Sequence, residues 1–344
     1  MIEQVIEHVI DGRVPRPDPD LSGAIVVGVA DRLADAERGL WEAALWAARR
    51  QLDVALVTAA GPAPEDARRP GTSVGRHHRA LRLVDAAAHR VARCAGDRLS
   101  IHTAVLAGPA DAALVDLSAS AALLVLQRRE LGSLSRLAAG STTERVAARA
   151  GCPVLIVHDH DQVGARRGLL AVLDGPASAV PCLTEAFPEA ARRGVALTVA
   201  VLVGAASRTT DTSATWWSSV AERDRLRSWQ ERFPQVRTEQ VVVNRFDDPG
   251  LLRLVDACEL VLVARRAPTR AGQLPLGAVT RRLIERSRCP VLVLPPVAAV
   301  PGVAVRPPPV KGRRSAARSA PPSARTPCRP ASAPGVGKPP AGGC

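Results

Sequence analysis

The chain has 344 residues, a formal net charge of +13, 47% hydrophobic residues and only 2% aromatics, with no Tyr. This length allows two domains that each bury a core, and the aliphatic bias favours β-branched strands and Ala/Leu helices over an all-β or membrane architecture. The charge is not spread along the chain: eight of the 46 Lys and Arg, and none of the 33 acids, fall after residue 300, leaving a net +5 before it. Seven Cys without C-x-x-C spacing and an acidic N-terminus that does not resemble a secretory leader imply a reducing, cytoplasmic setting. No apolar run approaches the ~18 residues needed to span a bilayer.

Residues 1–22 form an acidic, Pro-spaced leader. Ala24 to Val29 (AIVVGV) is too short for a helix and fits a strand buried on both faces. Ala34 to Arg50 has helical spacing, Val54 to Val57 is a strand, Leu81, Val84, Ala88 and Val91 mark a helix, and Ile101 to Leu106 a strand. A helix over 112–119 leads into the stretch ASAALLVLQRRELGSLSRLAAGSTTERVAARAGCPVLIV, residues 119–157, which contains a strand, a loop, a helix and a strand. The order β-α-β-α-β-α-β-α-β predicts a mostly parallel sheet with right-handed crossovers.

The order then restarts. Strands are expected at 169–173, 196–203 and 236–243, with helices at about 183–193, 216–233 and 251–258. Residues 256–294, DACELVLVARRAPTRAGQLPLGAVTRRLIERSRCPVLVL, repeat the stretch from Ala119. Arg128-Arg129 returns as Arg265-Arg266, Gly140 as Gly277, and Cys152-Pro153-Val154-Leu155 as Cys289-Pro290-Val291-Leu292, always 137 residues apart. A constant offset through four elements implies two copies of one α/β domain. Beyond residue 296, a Pro/Ala/Arg-rich tail lacks periodicity and is expected to be disordered. No aromatic interleaves its charges, which argues against nucleic acid.

Several pieces together resemble the universal stress protein family in its tandem, two-domain form: VVGVA (26–30) and AVLDG (171–175) as first strands, Val105-Leu106-Ala107-Gly108, the Gly140-Ser141 turn, and the CPVLIV and CPVLVL endings. The resemblance implies two Rossmann-like, HUP-type domains, each a five-stranded parallel sheet of order 3-2-1-4-5 with helices on both faces. The boundaries are 23–158 for the first domain, 159–165 for a connector, 166–296 for the second domain and 297–344 for the tail. It further implies pairing of the two domains through their last strands, with a homodimer as a wider possibility. Apolar edge strands need covering in any case.

In the nucleotide-binding branch of that family, an Asp ends the first strand, and a loop of form G-x2-G-x9-G-[ST] wraps the phosphates. Glycines admit the backbone to phosphate oxygens, and the helix N-terminus favours anions. Carried over by residue, the first domain has Gln127 and Glu130 at the two loop glycines but keeps Gly140 and Ser141, with Thr142 behind them. Its first-strand position is Ala30, and Asp31 follows one residue on. The second domain keeps Asp174 and Gly277, with Ala264, Ala267 and Ala278 at the other positions. The cofactor-binding candidates are thus Gly140, Ser141, Thr142, Asp31, Asp174 and Gly277, with ATP as the ligand the resemblance implies. Each domain carries only half of the pattern.

Arg128, Arg129, Arg265 and Arg266 read either as a phosphate-drawing rim or as solvated surface. His158-Asp159-His160-Asp161 reads as linker before metal site, and Cys152 and Cys289 as core-edge residues before nucleophiles. Trp41, Trp46, Trp217 and Trp229 read as core or interface anchors. No nucleophile elbow, Walker loop or dinucleotide fingerprint is present. The expected function is a non-catalytic stress-response module with weak or absent ATP binding; the alternatives are an adenine-nucleotide sensor using domain 1 and, further off, a nucleotide-dependent enzyme.

Overall fold

The structure, a computed structural model, describes residues 21–30, 32–60, 72–95, 99–128, 142–158, 168–204, 220–244, 248–266 and 276–296. The first half contains β1 (Ile25–Gly28), α1 (Glu37–Arg50) entered through a 3-10 turn at Leu33–Ala36, β2 (Val54–Ala59), α2 (Thr72–Ala95) and β3 (Ile101–Leu106). It continues with α3 (Ala110–Leu117), β4 (Leu123–Arg128), α4 (Thr142–Arg149) and β5 (Val154–His158). The second half repeats the series as β6 (Leu169–Leu173), α5 (Pro176–Arg193), β7 (Leu197–Val203), α6 (Val220–Arg232) and β8 (Thr238–Asn244). Then follow α7 (Asp248–Ala257), β9 (Leu260–Ala264), α8 (Ala278–Arg286) and β10 (Val291–Leu294).

Strands run β3-β2-β1-β4-β5-β10-β9-β6-β7-β8, so each half has the expected 3-2-1-4-5 order with parallel neighbours. The one antiparallel pairing among the described strands is β5 with β10, where Leu155 lies opposite Leu292. These two residues are equivalent in the repeat, so a local twofold axis passes through the centre of a ten-stranded sheet. Alternation along the strands divides the core into two layers that both run through both halves. Leu155, Val157, Leu292 and Leu294 face the layer of α1, α2, α5 and α6, whereas Val154, Ile156, Val291 and Val293 face that of α3, α4, α7 and α8.

Three expectations are corrected. Leu21, assigned to the leader, is 4% exposed and packs in the second layer with Ala24. His158, read as part of a linker run, is the buried last residue of β5. Helix α5 begins seven residues before the expected Leu183 and carries Pro181 and Pro188 inside it. Proline is unfavourable inside a helix, yet burial of Ala179, Cys182, Leu183, Ala186 and Phe187 against the sheet outweighs the lost backbone bonds. Pro176 at its first turn suits the N-terminus, since the missing N–H would be unpaired there anyway. Trp217, expected in α6, lies outside the described residues, as do the leader before residue 21 and the tail. No helix among the described residues is long and apolar enough to cross a membrane.

Candidate functional site

The two equivalent candidate sites are at the C-terminal ends of the parallel strands, where open α/β sheets generally bind ligands. In the second half, Leu169 of β6 lies opposite Leu260 of β9; in the first, Ile25 of β1 lies opposite Leu123 of β4. Leu123 and Leu260 are repeat equivalents, so counting five residues on makes Ala30 the counterpart of Asp174. The first half therefore has no carboxylate at this position.

In the second half, Asp174 leaves β6 just before Gly175, whose φ of 132° is a conformation glycine adopts without strain. The Asp174 side chain is only 9% exposed, and its Oδ2 accepts from Arg266 Nη2 at 2.5 Å. Gly277 stands at the start of α8, and a Cβ there would lie 3.6 Å from Arg266 Nε and 3.7 Å from Asp174 Oδ2. Sequence reasoning placed Asp174 and Gly277 in one site, and the structure brings them together. The Arg266 guanidinium lies against both, with its charge matched by Asp174 and its side chain 54% exposed.

In the first half, Asp31, Gly140 and Ser141 lie outside the described residues. Thr142 opens α4, and its Oγ1 accepts from Arg145 Nη2 at 3.4 Å. Arg145 Nε also donates to Asp111 Oδ2 at 2.7 Å, and this hydrogen bond holds the Asp111 carboxyl below the usual range. Thr142 thus takes part in a tie between α3 and α4. Gln127, at the first loop-glycine position, is also held in a structural contact, since its Oε1 accepts from the Gly39 N–H at 2.9 Å. That amide is in the first turn of α1, where no helical carbonyl can serve it and where the N-cap Ala36 offers no side chain.

Arg129 lies outside the described residues, and Arg128 and Arg265 are held in contacts across the seam. Arg128 Nη1 donates to the Ile284 carbonyl at 2.5 Å, and Arg265 donates to the carbonyls of Ala148 and, at 2.9 Å, Ala150. Each of these two arginines lies at the end of the fourth strand of one half and serves the C-terminal end of the helix before the last strand of the other. There the carbonyls lack intrahelical partners and the helix dipole favours a cation. His158 Nε2 also reaches the Ile284 carbonyl, at 2.8 Å, and since a carbonyl only accepts, this nitrogen carries the proton. Sequence reasoning missed these roles; the offset that makes Arg128 and Arg265 equivalent was the available signal. The residues after His158 in the His-Asp-His-Asp run lie outside the described residues. Among the described residues no three His, Cys, Asp or Glu side chains gather as a metal site.

Cys152 and Cys289 are buried at the entrances to β5 and β10. Burial pushes the Cys152 thiol up to about 11, away from nucleophilic use. Trp46 and Trp229 are buried anchors. Trp229 stacks on Phe187 and Phe233 at centroid distances of 5.8 and 5.9 Å, and Trp46 lies under the guanidinium groups of Arg50 and Arg193.

Two parallel five-stranded sheets of the same strand order, joined edge to edge through β5 and β10, define a tandem α/β protein of Rossmann-like domains. The sequence model of the universal stress protein family matches twice, over 23–158 and 166–295, and the chain belongs to that family. A universal stress protein of Mycobacterium tuberculosis is 30% identical over 293 residues, which cover 78% of this chain and 95% of the relative. One from Mycolicibacterium smegmatis is 30% identical over 230 residues, 63% of this chain and 77% of the relative. The crystal structure of a universal stress protein from Archaeoglobus fulgidus superposes with a TM-score of 0.62 at 13% identity, covering 80% of this chain and 98% of that one.

Proposed function

We propose that this universal stress protein is a non-catalytic stress-response module whose second domain does not hold ATP, and whose halves pair through β5 and β10 in place of two separate subunits. The observation that carries this reading is the Arg266–Asp174 ion pair beside Gly277. A nucleotide entering that cleft has to displace a guanidinium from a carboxylate that is itself nearly buried. It also finds Ala278 where the pattern has a hydroxyl.

The second reading is an adenine-nucleotide sensor in domain 1. It is favoured by Gly140 and Ser141, directly ahead of α4 in the sequence, and by Ala30, which offers no carboxylate to attract an arginine at that position. Thermal-shift series with ATP, ADP and AMP on the wild type, Ser141→Ala and Arg266→Ala separate the two. The module reading expects no stabilisation of the wild type at millimolar nucleotide, because binding to the native state must raise its stability by mass action. Stabilisation abolished by Ser141→Ala establishes the sensor instead, and steady release of phosphate or AMP overturns the non-catalytic assignment.

A further inference from the structure

A separate cavity of about 560 Å³ opens in the first half between α1 and the C-terminal part of α2. Its size is in the range of small-molecule pockets. Its lining includes the buried apolar side chains of Leu40 and Val91, 3% and 0% exposed, which back the cavity from beneath. One wall is the indole of Trp41, with the Arg38 guanidinium 4.6 Å from the ring centroid. The mouth carries Arg90 and Arg93 against a single carboxylate, Glu37.

Three features make this more than a surface crease. Aromatics are only 2% of the chain, and Trp46 and Trp229 are buried, yet Trp41 remains half-buried and lines the cavity. The Arg90–Glu37 pair, at 2.9 Å, is 46% and 53% exposed, so it is worth little on its own and yields readily to a better anion. Arg93 is exposed in the last turn of α2, adding a second guanidinium at the same mouth. Apolar backing, flat aromatic wall and guanidinium mouth together suit one chemistry.

We propose that this cavity binds a small organic anion, a carboxylate, sulfonate or phosphate carried on a flat or apolar body. The body lies against Trp41, over the buried Leu40 and Val91, and the anionic group is taken by Arg90 and Arg93. Bidentate guanidinium contacts suit such oxyanions better than a lysine does. Gln127, at the first loop-glycine position, also lines the cavity, but its apolar lining belongs to the layer of α1 and α2, whereas α4, which Gly140 and Ser141 precede in sequence, packs in the opposite layer through Val146 and Ala147.

The test uses the full chain and 8-anilinonaphthalene-1-sulfonate as the anionic probe, with the uncharged N-phenyl-1-naphthylamine as its control. Saturable binding of the sulfonate is expected, with slower alkylation of Cys94, which is exposed and lines the cavity. The double variant Arg90→Gln/Arg93→Gln should weaken the sulfonate at least about tenfold and leave the neutral probe unchanged, because only the anion loses charge-assisted bonds. Its melting temperature should match the wild type, since the pair it breaks is exposed. Equal affinity for both probes, unchanged sulfonate binding in the double variant, or unchanged Cys94 alkylation overturns the proposal. Displacement of the sulfonate by ATP in the wild type but not in Ser141→Ala also overturns it, by placing the probe at the phosphate turn. The nucleotide readings stand or fall separately.

Discussion

The two halves are held together by more than their central strands, and Glu189 is where this can be measured. Its side chain, in α5 of the second half, is 2% exposed, and it accepts from Arg50 of α1 in the first half at 2.8 Å. It also accepts from Arg192 at 2.5 Å and Arg193 at 2.7 Å, and Arg50 further contacts Glu185. Burial pushes the Glu189 carboxyl up, but Arg193 and Arg50 outweigh it, so its pKa lies below the ordinary value. Glu189→Gln keeps the shape and one acceptor while removing the charge that balances cations 16% and 7% exposed on Arg50 and Arg193. Breaking a buried pair from one side costs about 3–5 kcal/mol, and at this chain length that corresponds to a melting-temperature loss on the order of 10 °C. A depressed carboxyl stabilises the fold above its unfolded pKa and loses that contribution as pH falls through the folded one. The gap between wild type and variant should therefore be constant from pH 7 to about 5 and shrink below it. Urea unfolding across this range, with Arg50→Met to complete a double-mutant cycle across the halves, gives the coupling directly. A Glu189→Gln variant within about 0.5 kcal/mol of the wild type at pH 7, or a gap independent of pH, refutes the reasoning.

Other residues give predictions of different sign and size. Glu42 is buried, and that burial raises its carboxyl pKa despite Arg38, Arg193 and Arg49. The charge is therefore a burden at neutral pH: Glu42→Gln should raise the melting temperature at pH 7, an advantage that disappears as acid protonates the wild-type residue. Arg265→Ala leaves two helix-end carbonyls without their donor and should cost about 1.5–3 kcal/mol in urea unfolding, with Arg265→Lys restoring only part. Arg128→Ala should cost less, because His158 still donates to the Ile284 carbonyl. Native-state alkylation followed by peptide mass mapping should modify Cys94 and spare Cys152 and Cys182, whose thiols burial raises to about 11 and about 12.

The strands were the legible part of this chain, for a physical reason. β1, β4, β5, β6, β9 and β10 are covered on both faces, so each reads as a short unbroken apolar run that a helix of that length does not produce. The chain order of such runs, with helical periods between them, restricts the topology to a few parallel arrangements. Helix α5 was less legible because Pro181 and Pro188 are local signals, while the burial that overrides them belongs to the tertiary structure. The candidate site was legible only as residue types in register. Asp174 and Gly277 were found because the family pattern marks backbone positions, and backbone register is what repetition preserves. That Arg266 would fold back onto Asp174, and its neighbour Arg265 onto α4, depends on side-chain directions that sequence spacing does not contain.

That divergence of adjacent arginines connects the seam to the candidate site. Arg265 comes directly after the fourth strand of the second half, and it grips the C-terminal end of α4, the helix that begins at Thr142 of the first half. Arg128 makes the reciprocal contact with α8, the helix that begins beside Gly277. The local twofold axis through Leu155 and Leu292 makes the two contacts equivalent, as in an isologous interface. Each half thus holds the C-terminal end of the other's helix before its last strand, so the seam that joins the domains also fixes these two helices. Asp174 of the second half pairs with Arg266, whereas the equivalent position in the first half is Ala30. The symmetry is therefore kept where it holds the fold together and broken after the first strands, where Ala30 and Asp174 differ.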